Sequence, residues 1–253
     1  MLLLLLACVA PTALPEPLPS PGPVVLGWRW VPGDTLRFAM ETRFIDGGST
    51  VTRVEHWDYL VREVDDEGIA TLEGRLTGIG AQLEREGVVA EGEDFEAARQ
   101  AEKARLSEVT LSMSIAMDGR LVSLDGLDWA DALPHRLLAL QLPQDPVEPG
   151  ARWPDPVVAR PYADLVPVEL DVVVEGHEMY EGLYDRSGAV HAHLRTEAAV
   201  WPSDPQAPGV NLQGEVWWDL HAGQLRERRL EATLTKVPTG EAGALVIEAR
   251  RID

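Results

Sequence analysis

Cysteine occurs once among 253 residues, at Cys8, so no disulfide can form within the chain and a cysteine nucleophile in its body is excluded. Lysine is nearly as scarce, with Lys103 and Lys236 the only two. Against 42 acidic residues stand 22 basic ones, a formal net charge of −20. Nucleic-acid phosphates need Lys and Arg to replace their counterions, so nucleic acid is not an expected partner. An anionic bilayer surface repels the same charge, so contact with a membrane requires an anchor. No apolar run past the first ten residues is long enough to span a bilayer. Also missing are a GxSxG elbow, a phosphate loop and a dinucleotide fingerprint, so no cofactor and no catalytic residue is expected.

The apolar content of 45% and charged content of 25% are those of a folded globular protein. The start reads Leu2-Leu3-Leu4-Leu5-Leu6-Ala7-Cys8-Val9-Ala10. This run is too short to anchor as a helix and suits the apolar core of a signal segment, although no Lys or Arg precedes it. Leu5-Leu6-Ala7-Cys8 resembles the box at which bacterial lipoproteins are cleaved and lipidated, which implies lipidation of Cys8 and a lipid-anchored place in the periplasm or outer membrane. Cleavage after Ala10 and a packed thiol are the competing readings. Pro11, Pro15, Pro17, Pro19, Pro21 and Pro23 follow. Proline fixes φ and lacks an amide donor, so this stretch is expected to be an extended spacer reaching roughly 45 Å at about 3.1 Å per residue. The expected organisation is a signal segment over 1–8, a spacer over 9–24 and one domain over 25–253, with halves at 25–130 and 145–253.

From Thr35 onward the apolar period is two. Leu36, Phe38 and Met40 alternate with Arg37, Ala39 and Glu41, and a similar alternation of large apolar with mostly polar or small residues runs over Val109 to Met117 and Val168 to Val174. Strands of this kind bury one face and wet the other, the habit of antiparallel sheets. Further strands are expected at 51–64, 69–79, 120–124, 189–201, 209–220, 224–236 and 244–251, joined by turns such as Asp118-Gly119 and His221-Ala222-Gly223. Helices are expected at 93–107, on the surface, and at 134–142, plugging one end of the sheet. The predicted fold is mainly antiparallel β with few short helices, either a curved sheet or half-barrel or a two-sheet body. Pro32-Gly33-Asp34 is echoed by Pro149-Gly150-Ala151, and Asp118 to Leu121 by Asp219 to Leu225, which suggests duplicated halves.

Leu142-Pro143, Pro149 to Trp153 and Asp219 to Leu225 resemble the linker, Pro-Gly-x-x-Trp turn and Asp-x-x-x-Gly-x-Leu hairpin of uncharacterised bacterial secreted lipoproteins. A looser likeness is to periplasmic lipoprotein-carrier half-barrels, whose curved sheet wraps short helices around an apolar cavity. That likeness implies lipid handling by analogy of architecture.

Candidate functional residues are few. Trp28 and Trp30 share one face, and Trp217 and Trp218 point to opposite sides of a strand, so these four are candidates for an aromatic ligand platform or for core packing. His191 and His193 share a strand face at a spacing that can hold two metal ligands, but no third ligand is identifiable, and the plainer expectation is a wet face. The expected function is a non-enzymatic envelope lipoprotein whose curved sheet binds an apolar ligand. An acidic scaffold for an envelope protein and a metal-assisted hydrolase are the alternatives.

Overall fold

The computed structural model describes residues 16–19, 22–46, 48–86, 88–89, 93–155, 171–186, 188–204, 209–234 and 243–252. The fold is one large, curved, unclosed antiparallel sheet of 12 strands. Its first part comprises β1 (Thr35–Asp46), β2 (Ser49–Val64), β3 (Ala70–Arg85), β4 (Val88–Val89), β5 (Leu111–Ile115) and β6 (Leu121–Asp125). Its second comprises β7 (Arg152–Pro154), β8 (Val172–Arg186), β9 (Ala189–Pro202), β10 (Val210–Asp219), β11 (Gln224–Leu234) and β12 (Ala244–Arg251). The lateral order is β6-β5-β3-β2-β1-β12-β11-β10-β9-β8-β7, with β4 paired to β3 alone. Each part is a meander, and the first and last strands join them in the middle. The edges are β6 and β7, and the chain between them turns back under the sheet.

That connection carries α2 (Trp129–Ala132) and a 3-10 helix (Pro134–Leu138). Asp128 caps α2 by accepting the Asp131 amide, and Pro134 sits at the first position of the 3-10 helix, where a missing amide costs nothing. The segment packs against β1, β11 and β12. Leu133, Leu137, Leu138 and Leu140 join Leu36, Phe38, Met40, Tyr59, Leu194, Val216 and Trp218 in one core cluster. Longer helix α1 (Glu93–Ser107) lies against β3 and buries Leu106.

The two Pro-Gly turns are built alike. Asp34 donates to the Val31 carbonyl at 3.0 Å, and Ala151 to that of Glu148 at 2.9 Å. Gly33 donates to Val61 at 2.8 Å and Gly150 to Tyr180 at 2.7 Å, while the amides of Val61 and Tyr180 return to the carbonyls of Asp34 and Ala151. Gly33 and Gly150 hold φ of 93° and 89°, which the third position of a type II turn requires. Each turn thus launches a strand, β1 or β7, in fixed register with the one that follows.

Three expectations change. The predicted 134–142 helix is a 3-10 helix ending at Leu138, and the sequence reading missed α2 before it. Part of the expected spacer is docked: the Leu18 amide donates to Leu183 at 2.8 Å, covering β8 beyond the end of β7, and Val24 bridges Val147. The strand expected to start at Val168 is described from Val172 and continues to Arg186; the bulge between Tyr180 and Gly182 keeps it paired.

Candidate functional site

Antiparallel register places directly opposed residues on one face, so inner-face rows can be followed across both parts of the sheet. One row runs Glu55, Met40, Ala249 and Arg228 from β2 to β11. A neighbouring row runs Arg53, Thr42, Ile247 and Leu230. Four ionisable groups therefore interrupt an apolar wall: Arg53 and Glu55 on one side, Arg228 and Glu178 on the other.

All four face the connection or its ion pairs. On the first side Arg53 bonds Asp131 at 2.8 Å and pairs with Glu55, which accepts the Trp57 indole N–H at 2.6 Å. Arg105 of α1 adds a second guanidinium to Asp131. Burial pushes Asp131 up, but Arg105 and Arg53 outweigh it and the carboxyl ends below its ordinary value. Burial pushes the Glu55 carboxyl up, against the pull of Arg53. The Tyr59 hydroxyl and His135 Nδ1 are hydrogen-bonded at 2.5 Å, both groups fully buried. Burial, assisted by Arg53, lowers His135 to about 3, so the imidazole is neutral at physiological pH.

On the second side Arg228 is 1% exposed and Glu178 is 0% exposed, their side chains 2.8 Å apart. Arg228 also donates to the carbonyls of Ala139 at 2.9 Å and Leu137 at 3.4 Å, and Asp155 lies 3.8 Å away. Thr196 donates to Glu178 at 2.7 Å. Burial still pushes Glu178 up to about 7, the Arg228 charge notwithstanding. These contacts tie the connection to both halves. The arrangement clamps backbone and side chains.

Toward the far ends of the strands one inner-face row is wholly apolar, with Asp46, Ser49 and Arg85 in the row beyond it. The apolar row runs Leu83, Val51, Phe44, Leu245, Ala232 and Leu212. In the second part of the sheet this row is covered, with Ala232 and Leu212 buried. In the first part it opens to solvent: Phe44 is 49% and Val51 43% exposed, and Leu83 and Leu245 are half-buried.

The four tryptophans separate into two groups. Trp28 stacks on Trp30 with centroids 4.5 Å apart and planes 7° off parallel, and Trp218 meets Trp28 edge-on at 4.5 Å. Trp28 donates to the Leu140 carbonyl at 3.1 Å, so this trio sits in the core against the connection. Trp217 is on the outer face, stacked on His193 at 4.3 Å, with Tyr184 edge-on and the Arg186 guanidinium 4.2 Å above its ring.

His191 and His193 do share the outer face of β9, opposite Asp219 and Trp217. The expected wet face is corrected, because they are 5% and 1% exposed, with His193 against Trp217 and Tyr184. Glu181 lies 3.0 Å from His193 Nδ1 and Glu215 3.9 Å from Nε2, while His191 Nδ1 contacts its own strand at the Ala189 carbonyl. Burial lowers His193 despite both carboxylates. Among the described residues no cluster of three or more His, Cys, Asp or Glu is arranged to hold a metal ion. Cys8, the expected lipidation site, lies outside the described residues. The ionisable quartet, three of its members buried, escaped the sequence reading because Glu178 and Arg228 stand in polar stretches where nothing marks which face turns inward.

No protein-family model matches the chain, and neither does any curated protein. Among solved structures it is similar to a DUF1329 family protein from Desulfovibrio piger, at 10% identity over 86% of this chain and 85% of that one, with a TM-score of 0.22. It is also similar to a putative outer membrane lipoprotein-sorting protein domain from Vibrio parahaemolyticus, at 10% identity over 86% and 85% of the two chains, with a TM-score of 0.19. Likenesses this slight leave function to be argued from the chain's own geometry.

Proposed function

We propose that this chain is an exported envelope protein, anchored through lipid on Cys8, that binds an acyl-chain ligand on the open apolar part of its inner face. The observation that carries the reading is the apolar inner-face row near the strand ends, where Phe44 and Val51 remain 49% and 43% exposed between Leu83 and Leu245. Side chains that alternate inward belong to a core, and leaving several together in water costs about 25 cal/mol for each Å² of apolar surface. An acyl chain laid along the row removes that cost, and an anchored protein meets acyl chains at the membrane. The test is lipid extraction and mass spectrometry on protein purified from native membranes, with binding of a fluorescent fatty acid to the delipidated form. Stoichiometric lipid, lost in Phe44→Asp/Val51→Asp with the thermal midpoint retained, supports the reading. Protein that carries no lipid and binds none refutes it. Metabolic labelling with an alkyne fatty acid, abolished by Cys8→Ala, tests the anchor separately.

A second reading, an acidic scaffold for an envelope partner, is favoured by the clamped connection, which fills much of the inner face with the chain's own side chains. Its test is a salt-sensitive pull-down weakened by neutralising Glu63, Asp66 and Glu67. Asp65 is left intact, because its carboxylate accepts the amides of Glu67 and Ile69 and shapes the turn.

A further inference from the structure

Positive charge is scarce in this chain of net charge −20, yet one cleft concentrates it. A cleft of about 510 Å³ is lined by Arg186, Arg226, Arg250 and Arg251, with Asp219 and Glu227 the carboxylates among its lining. Antiparallel connectivity creates it: the ends of β8 and β12 and the start of β11 lie at the same end of the sheet. The bulge at Trp217/Trp218 offsets β11 there and sets Arg226 between the paired residues Leu225 and Glu227.

The two carboxylates already have work within the fold. Asp219 accepts the amides of His221 at 2.9 Å and Ala222 at 2.8 Å, closing the turn between β10 and β11. Glu227 takes Arg186 at 3.1 Å, and that guanidinium is further fixed over Trp217. Arg251 donates to the Gln224 amide oxygen, and exposed Arg250 forms no ion pair among the described residues. Glu248, two positions before Arg250, feels its charge; burial first, then Glu227 and Glu41, push that carboxyl up against the pull of Arg250 and Arg229.

We propose that this cleft binds a small ligand through a phosphate group, held by Arg250 on the outer face of β12 and flanked by the immobilised Arg186, with Arg251 at the rim of the cleft. Planar guanidinium forks match phosphate oxygens in pairs. The volume falls in the range of small-molecule sites, larger than a bare ion needs, so the phosphate carries an organic group. This inference stands apart from the apolar row, none of whose residues lines the cleft.

The experiment is calorimetric titration of the full chain with inorganic phosphate and, separately, with phosphatidylglycerol vesicles. Wild type is compared with Arg250→Gln/Arg251→Gln, Arg250→Gln alone and the distant Arg62→Gln, each checked by thermal melting. Saturable phosphate binding, weakened by about tenfold or more in the double variant and unchanged in Arg62→Gln, supports the proposal. Binding of the vesicles alone, lost in the same variant, also supports it and assigns the phosphate to a lipid headgroup. Should the double variant unfold, the exposed Arg250→Gln substitution must weaken binding by itself. Binding of neither probe, or binding indifferent to Arg250 and Arg251, overturns it.

Discussion

Replacing Arg228 with methionine removes the guanidinium that joins Glu178 to the connection while keeping much of the side chain's volume. Wild-type Arg228 and Glu178 are 1% and 0% exposed and 2.8 Å apart, and Arg228 also serves the carbonyls of Leu137 and Ala139. Above neutral pH the variant strands a buried carboxylate, a loss of about 3–5 kcal/mol. Below neutral pH the penalty shrinks, because burial already pushes Glu178 up to about 7 and its protonated form needs no counter-charge. What remains at pH 5 is the loss of hydrogen bonds to the two carbonyls, about 1–3 kcal/mol. Urea unfolding at pH 5 and pH 8 measures both. We predict a larger drop at pH 8, accompanied by a fall in thermal midpoint of about 10 °C. A loss below about 1 kcal/mol at pH 8, or equal losses at the two values, would refute the claim that Arg228 neutralises Glu178 in the core.

Two further outcomes follow from the same core. Glu178 is raised to about 7 from 4.5, so its share of stability is present below 4.5 and lost as pH rises to 7; His135, lowered from 6.5 to about 3, contributes stability above 6.5 that is lost as pH falls. Between 4.5 and 6.5 the two slopes oppose each other, so Glu178→Gln should unmask a loss of about 1.4 kcal/mol per unit of acidification in pH-dependent unfolding, and an unchanged profile would contradict this. Gly119 has φ of 83°, and a Cβ there would stand 1.7 Å from the Leu140 carbonyl oxygen and 2.4 Å from Trp28 Nε1. Gly119→Ala should therefore cost about 3 kcal/mol or more and change tryptophan fluorescence by disturbing Trp28; a near-neutral melt would show that the connection yields freely.

Strands were legible wherever alternation was unbroken. Leu36, Phe38 and Met40 announce β1, and Leu111, Met113 and Ile115 announce β5, because a two-residue period on a pleated chain admits one buried face. The Asp and Gly turns were legible for an equally local reason, since backbone conformations with positive φ favour few residues. Trp217 and Trp218 could be assigned to opposite faces from adjacency alone, and they lie so. By contrast, β8 was read only to Val174, since Gly176, His177, Glu178 and Gly182 break its alternation. Partners for those groups, buried Arg228 and Thr196 for Glu178 and half-buried Ala198 against Gly176, come from strands that meet only in the sheet.

The sequence by itself determined the local periods, the turns and the direction of each alternating side chain, because these depend on residues a few positions apart. Tertiary structure alone decided that β1 and β12 join the halves, that residues 131–139 are clamped between Arg53 and Arg228, and that the cleft arginines converge. Those outcomes arise from contacts between strands far apart in the chain, where charge pairing and exclusion of water are set by register and curvature. No local pattern encodes which distant partner a buried charge will meet.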